Sequence, residues 1–410
     1  MNTKDELQAM GEEAREGAPL PGTAEPPART AAAHRRQIAA ALAGMGAWGV
    51  FWGGWGALLP AIKAATGASE AVFGTALLGV ATGALPAMLL FGPLVDRFGR
   101  WALAASLGLF GASIVPIAFA RSPLTLAVCL VGLGATSGTL DIALNARVAA
   151  LEAATGRRLF NLAHAVFPLA VVLTSPAVGL ARQLGVGAAP ILVALSAASL
   201  LAALANARGG PGATAAPARR PRFRPSAALI AAGALAAGVH VIENAVEQWS
   251  AIFLEQDLGT QPAVASLGPA VYMGMLFLGR VAAQRYGDRL GDRRTLIVTV
   301  LSASAGMALA AISTHPALAL LGFGVAGFGM AAGIPTIFSM TGRSVDPDAR
   351  GAAIGTITAI AYTGYLFSPP LVGAIAGRLS LHASWATLAG VALLLLALTR
   401  NAAFRPEEPR

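Results

Sequence analysis

Cysteine is nearly missing: Cys129 is the single one in 410 residues. No disulfide can close within the chain, and a cysteine-based metal site is excluded. Charge is scarce as well. Asp, Glu, Lys and Arg make up 12% of the residues, about half of what a soluble domain carries. The five histidines are dispersed and no H-E-x-x-H occurs, which argues against a metalloprotease. No nucleophile and base stand together, so the chain does not read as an enzyme. A G-x-x-x-x-G-K-[ST] loop is also missing, so ATP bound within this chain cannot drive it. No cofactor and no metal are expected. Residues 1–36 are polar, mix both charge signs with several prolines and hold no apolar core of the signal-peptide kind. They read as a disordered tail.

Apolar residues are abundant, at 56%, with 48 glycines and a mean hydropathy of +0.65. A helix needs about 20 apolar residues to cross a bilayer. Such runs occur near 38–62, 71–95, 101–120, 123–149, 159–181 and 187–206. A second set lies near 227–254, 262–286, 295–313, 316–342, 350–377 and 381–399. The expected fold is therefore an all-α membrane protein with twelve transmembrane helices. They divide into two six-helix bundles, 37–206 and 227–399, joined by a Pro-, Gly- and Arg-rich linker at 207–226 and followed by a tail at 400–410.

Basic residues exceed acidic ones by 29 to 20, but they are scattered between apolar spans, so no nucleic-acid partner is expected. Their distribution sets the orientation. With the N-terminus inside, 25 Lys and Arg fall on inner segments, and only Lys63, Arg121, Arg182 and Arg378 fall on outer loops. Both termini are expected in the cytoplasm, and a bacterial inner membrane is the expected location.

The sequence also repeats. "GPLVDRFGRW" (92–101) follows the second span and "QRYGDRLGDRR" (284–294) follows the eighth. Asp96 and Asp288 lie 192 residues apart, and Asp-Arg-x-Gly recurs at that offset. A six-helix unit has been duplicated in parallel, as in one class of transporter folds.

These features resemble the major facilitator superfamily. Its loop signature G-x-L-x-D-R-x-G-R is matched by Gly92, Leu94, Asp96, Arg97, Gly99 and Arg100. The second copy keeps Asp288 and Arg289, but Gln284 and Asp292 replace its first Gly and last Arg. A closer resemblance is to the bacterial YbjJ-like branch, relatives of the fucose permeases. It rests on Asp141, Asn145, Glu152, Gly156, Arg157 and His164, on Glu243 with Trp249-Ser250, and on Pro335, Ser339, Gly342 and Arg343. The resemblance implies transport by alternating access, and a cavity lined by spans 1, 4, 7 and 10. The signature reads as a conformational latch. Asp96 can accept hydrogen bonds from a neighbouring helix N-terminus and pair with arginines, and the glycines permit a tight turn.

An ionisable group at the bilayer centre costs about 2.5–3.5 kcal/mol and is a functional-site hypothesis by default. Asp141 lies about 25 Å along the fourth span from the outer edge, and Asn145 is one turn on. In the seventh span His240, Glu243, Asn244 and Glu247 form one helical stripe. The stripe is expected to face water in a cavity. These residues are candidates for proton coupling or solute binding. Neither Asp141 nor Glu243 has a partner at the 192-residue offset, where Gly333 and Phe51 stand. Scaffold residues would be expected to duplicate with the repeat. Glu152 is expected in an ion pair with Arg147, Arg157 and Arg158.

In the first span Trp48, Trp52 and Trp55 share one face, and Gly49, Gly53 and Gly56 the adjacent one. Trp48 and Trp52 could stack on a sugar ring or an aromatic solute, or simply pack a neighbouring helix. Tyr362 and Tyr365, and Asn161 with His164, are further candidates. The expected function is secondary active transport of a small solute, coupled to protons, by a monomer surrounded by lipid. Drug or metabolite efflux by proton antiport is the alternative. Against it, the fifth span lacks the G-P pair of drug antiporters.

The orientation has a direct test. A cysteine introduced at Ala213 in the linker should react only with reagents that enter the cytoplasm. Labelling from outside intact cells would reverse the topology.

Overall fold

The computed structural model describes residues 28–208, 225–346 and 349–399, without the side chains of 28–31, 92–97 and 287–288. Within them the regular structure is entirely helical. The first half comprises α1 (Ala28–Thr66), α2 (Glu70–Phe98), α3 (Ala102–Ile114), α4 (Pro123–Thr155), α5 (Phe160–Gln183) and α6 (Ala188–Asn206). The second comprises α7 (Ala227–Ile252), α8 (Leu267–Leu290), α9 (Asp292–Ala311), α10 (Pro316–Ser344, broken at Ala331–Ala332), α11 (Arg350–Arg378) and α12 (Leu381–Leu398). Eleven of these, α2 to α12, are long and apolar enough to cross a membrane, α3 when taken with the 3-10 turns that extend it to Gly99–Phe119. α1 has the length, but its tryptophans and glycines dilute its hydropathy.

The first helix starts inside the segment expected to be a disordered tail, since residues 28–36 are helical. Residues 1–27, the linker at 209–224 and the tail at 400–410 lie outside the described residues. So do the side chains of Gly92, Asp96, Arg97 and Asp288.

Helix ends follow from local chemistry. Ser122 and Thr125 form a reciprocal capping box ahead of α4, with Pro123 in its first turn. Ser226 and Ser380 cap α7 and α12. The signature expected in a loop is largely helical, because α2 runs to Phe98 and α8 to Leu290. The chain turns at Gly99 (φ +50) and Gly291 (φ +72), which sit at the repeat offset. A left-handed φ suits glycine, which has no Cβ to clash.

Packing repeats with the sequence. α1 packs on α5, α2 on α4 and α3 on α6; in the second half α7 packs on α11, α8 on α10 and α9 on α12. The α2–α4 seam is a backbone approach, since a Cβ on Gly134 would lie 2.0 Å from the Val80 carbonyl oxygen. In the α8–α10 seam a Cβ on Gly327 would lie 2.4 Å from the Tyr272 carbonyl. Small residues give such contacts where no water drives association.

The halves meet chiefly through α2 on α11 and α5 on α8. Among the described residues, every hydrogen bond between them lies toward the end where α1 turns into α2. These bonds are Trp55–Gln248, Lys63–Gln256, Ser175–Ser266 and Arg182–Glu255. At this sealed end a Cβ on Gly74 would come within 2.4 Å of the Pro369 carbonyl.

Gly134→Ala should lower the stability of the detergent-solubilised protein by about 1–3 kcal/mol, as overpacking does. Gly132→Ala, where an added Cβ meets nothing within 4 Å, should hold or raise the melting temperature, since alanine is the better helix former. Equal behaviour of the two variants would refute the seam.

Candidate functional site

The seventh helix builds most of the site. The Glu243 carboxylate lies 3.2 Å from Nδ1 of His240, one turn earlier. The His240 ring rests on Tyr365 of α11, with centroids 4.4 Å apart. Tyr362 extends the aromatic group, 5.8 Å from Tyr365 and 6.4 Å from His240. Gly364 makes this contact possible. A Cβ there would lie 2.2 Å from the Ala237 carbonyl and 2.9 Å from the His240 Cβ. Only a residue without a side chain lets α11 press this closely on α7.

The other half contributes Asp141 on α4. Its carboxylate accepts a 2.8 Å hydrogen bond from Asn145, which also bonds the Asp141 carbonyl at 3.0 Å. Asp141 lies close enough to Tyr362 of α11 for an electrostatic interaction, and Glu243 and Glu247 stand in the same relation to Tyr365. Asp141, His240, Glu247, Tyr362 and Tyr365 are half-buried, whereas Glu243 and Asn244 are buried. Asn244 holds a carbonyl oxygen without a hydrogen-bond partner. Glu247, one turn beyond Glu243, interacts electrostatically with it. Two carboxylates so placed repel when both are ionised, so the pair favours a shared proton or a cationic neighbour.

That neighbour is Arg280 of α8, whose charge reaches both Glu243 and Glu247. Arg280 counts with the inner-segment charges, yet it lies within the apolar run 262–286 and the matching helix Pro262–Tyr286. Arg280 is exposed, and across the halves it interacts electrostatically with His164, which stacks on Phe160 at 6.0 Å. The rule that singled out Asp141 and Glu243, an ionisable residue inside an apolar run, would have found Arg280 too. Tyr272, also of α8, is buried near both glutamates with an unpartnered hydroxyl.

Other expected residues make contacts of their own. Trp48 donates its indole N–H to Ser137, one turn before Asp141 on α4, at 3.0 Å and packs on Phe167 at 5.0 Å. Trp52 meets Phe51 edge-on. Gly49 and Gly53 lie against the α5 backbone, as expected of a packing face. Among the described residues Glu152 has no ion-pair partner. Its Oε2 accepts the backbone N–H groups of Leu159 and Phe160, at 2.6 and 3.1 Å. It caps the start of α5, a use of a carboxylate that charge spacing could not distinguish from pairing.

Of the signature, Arg100 and Arg289 are described. Arg100 stacks on Trp101 and Arg289 on Tyr286. Arg147 of α4, buried, donates to the Arg100 carbonyl at 2.8 Å. In the second half Arg343 of α10 binds Asp292 and Ser339. Asp292 and Ser339 stand at the repeat offset from Arg100 and Arg147. Each half thus ties the start of its third helix to its fourth. Among the described residues no group of His, Cys, Asp and Glu could hold a metal ion.

With this geometry the chain can be set beside known proteins. The family model of the Major Facilitator Superfamily matches residues 248–410. An uncharacterized MFS-type transporter of Yersinia pestis is 30% identical over 353 residues, covering 85% of this chain and 90% of the relative. Among solved structures, a point mutant of the nucleoside transporter NupG aligns with a TM-score of 0.77 at 13% identity, covering 90% of this chain and all of the other. A D-xylose-proton symporter aligns with a TM-score of 0.72 at 16% identity, covering 91% of this chain and 98% of the other. The structures agree in fold, the relative in sequence across nearly the whole chain, and the chain belongs to the major facilitator superfamily of membrane transporters.

Proposed function

We propose that this transporter moves a small solute across a bacterial cytoplasmic membrane by alternating access, coupled to protons. The observation that supports the reading is the His240–Glu243 pair of one half resting on Tyr365, with Asp141 of the other half near the adjoining Tyr362. A group whose protonation differs between two states of a carrier can couple protons to solute, and a carboxylate withdrawn from water suits that task. Similarity in fold to a D-xylose-proton symporter supports the choice of coupling ion. In this reading α1 is the twelfth membrane span, both termini are cytoplasmic, and the sealed end faces outward. The site then opens inward. The YbjJ-like motifs favour that branch of the superfamily.

Asp141 is assigned to coupling and Glu243 to solute binding, with Asn145, His240, Asn244, Glu247, Tyr362 and Tyr365 around them and Trp48 and Trp52 at the margin. Glu243 belongs to a stripe whose donors and acceptors can grip a polar solute; Asp141 has one amide partner. A thermal-shift screen of the purified protein against sugars, organic acids, amino acids and drugs supplies the probe solute, because a ligand that binds the native state raises its melting temperature. In liposomes Asp141→Asn should keep counterflow of that solute but abolish uphill transport driven by a pH gradient. Glu243→Gln should weaken binding in both assays. Full pH-driven transport in both variants would make the carboxylates scaffold and end the reading.

Gly92, Asp96, Arg97, Gly99 and Arg100, with Asp288 and Arg289, act as the conformational latch. The ties from Arg147 to Arg100 and from Arg343 to Asp292 support a role in holding helix ends together. Asp96→Asn should slow transport strongly while keeping solute affinity within a few fold. Lost affinity with unchanged exchange between states would refute it.

A further inference from the structure

α7 does not end in a regular turn. Phe253–Asp257 widen into a π turn, an irregularity that recurs at functional sites. Three consecutive polar residues leave it in three directions. Glu255 takes both guanidinium nitrogens of Arg182, Nη1 to Oε2 and Nη2 to Oε1, each at 2.8 Å. The same Nη1 also donates to the Ala57 carbonyl at 2.8 Å. Gln256 accepts from Lys63 Nζ at 2.8 Å, and that ammonium donates equally to Glu70. Asp257 faces Nδ1 of His382 at 3.9 Å, while Nε2 of that ring lies 2.9 Å from the Ser313 carbonyl. One turn of five residues therefore joins α1 and α5 of the first half, and through Lys63 α2, to the head of α12 in its own half.

Two of the three partners cross between the halves, and both are cations of the first half. The Arg182–Glu255 pair is bidentate and withdrawn from water, with side chains 9% and 20% exposed. An exposed ion pair contributes little, but a forked, charge-assisted pair is stronger. Removing one member of a buried pair also strands the other. The backbones of α2 and α11 touch at the same end, at Gly74 and Pro369. Opening that end would separate these backbones, and the charges of the turn along with them.

We propose that the π turn Phe253–Asp257 is the clasp of the sealed end: Glu255 on Arg182 and Gln256 on Lys63 hold the two halves together and set how much of the protein rests closed there. The clasp rests on the alternating-access reading, since a closed end matters to transport only if it opens. Its grip comes from one segment of the second half reaching two separate cations of the first, so the two bonds break together.

Spin labels at Leu184 and Leu379, exposed residues in the turns after α5 and α11, report the separation of the halves at this end in a Cys129→Ser background. Purified protein in detergent, without solute, suffices. Gly74→Leu supplies the reference, because its side chain must wedge α2 from α11. The unmodified clasp should give one short distance and the wedge a longer one. Glu255→Gln should move the ratio of long to short distances roughly tenfold toward the long, the order expected for a hydrogen bond between charged groups. Gln256→Leu, which strands no charge in its own half, should move it in the same direction by less. A folded Gly74→Leu protein without a long distance would refute alternating access itself. A long distance in the wedge, with unchanged distributions in Glu255→Gln and Gln256→Leu, would refute the clasp alone.

Discussion

The hydrocarbon layer offers a polar group no water, so each charge at membrane depth must find a partner inside the protein or face a wet cleft. This constraint sorts the ionisable residues of the chain into three uses. Glu152 is spent on two orphan N–H groups at the start of α5. Arg182, Glu255 and Lys63 bind helix ends together where the halves meet. Asp141, His240, Glu243 and Glu247 lie near Tyr362 and Tyr365, with Arg280 near the two glutamates. The first two uses leave the charge engaged. In the third, acids outnumber the guanidinium beside them.

Close backbone packing is the second condition on which the site depends. Gly364 lets α11 lie on α7 so that Tyr365 supports His240. Gly134 and Gly327 do the same for the equivalent seams of the two halves. Dispersion forces act over short distances, so helices joined through glycine form rigid bodies without a hydrophobic driving force between them. Two such bodies keep their internal seams intact, as the proposed alternating access requires. The duplicated ties at Arg100 and Asp292 lie within single halves and are consistent with this division.

The site is asymmetric on a symmetric frame. Gly99 and Gly291 turn the chain at equivalent places, and the helix pairings repeat. Asp141 and Glu243 have no counterparts at the repeat offset. Duplication supplied the scaffold, while the chemistry between the halves diverged. The family match and the relative from Yersinia pestis identify the scaffold's class.

The spans, the repeat and the membrane class were legible in the sequence alone, because hydrocarbon selects apolar runs of fixed length and a duplicated fold keeps its turns. Asp141, Asn145, His240, Glu243 and Glu247 were legible for the same reason: polar residues in such runs are rare. Which partner each side chain takes was decided only by the tertiary structure. Spacing put Glu152 among arginines, but packing placed the α5 N-terminus closer. Trp48 shares a face with Trp55, yet one bonds Ser137 within its half and the other Gln248 across the halves. Arg280 lay within the apolar run 262–286, but its nearness to Glu243 and Glu247 came only from the packing of α8. Helical periodicity fixes the face on which a residue stands, and hydropathy fixes its approximate depth. Neither fixes which helix lies opposite, and at a few ångströms the opposite helix determines whether a charge caps, clasps or waits for a ligand.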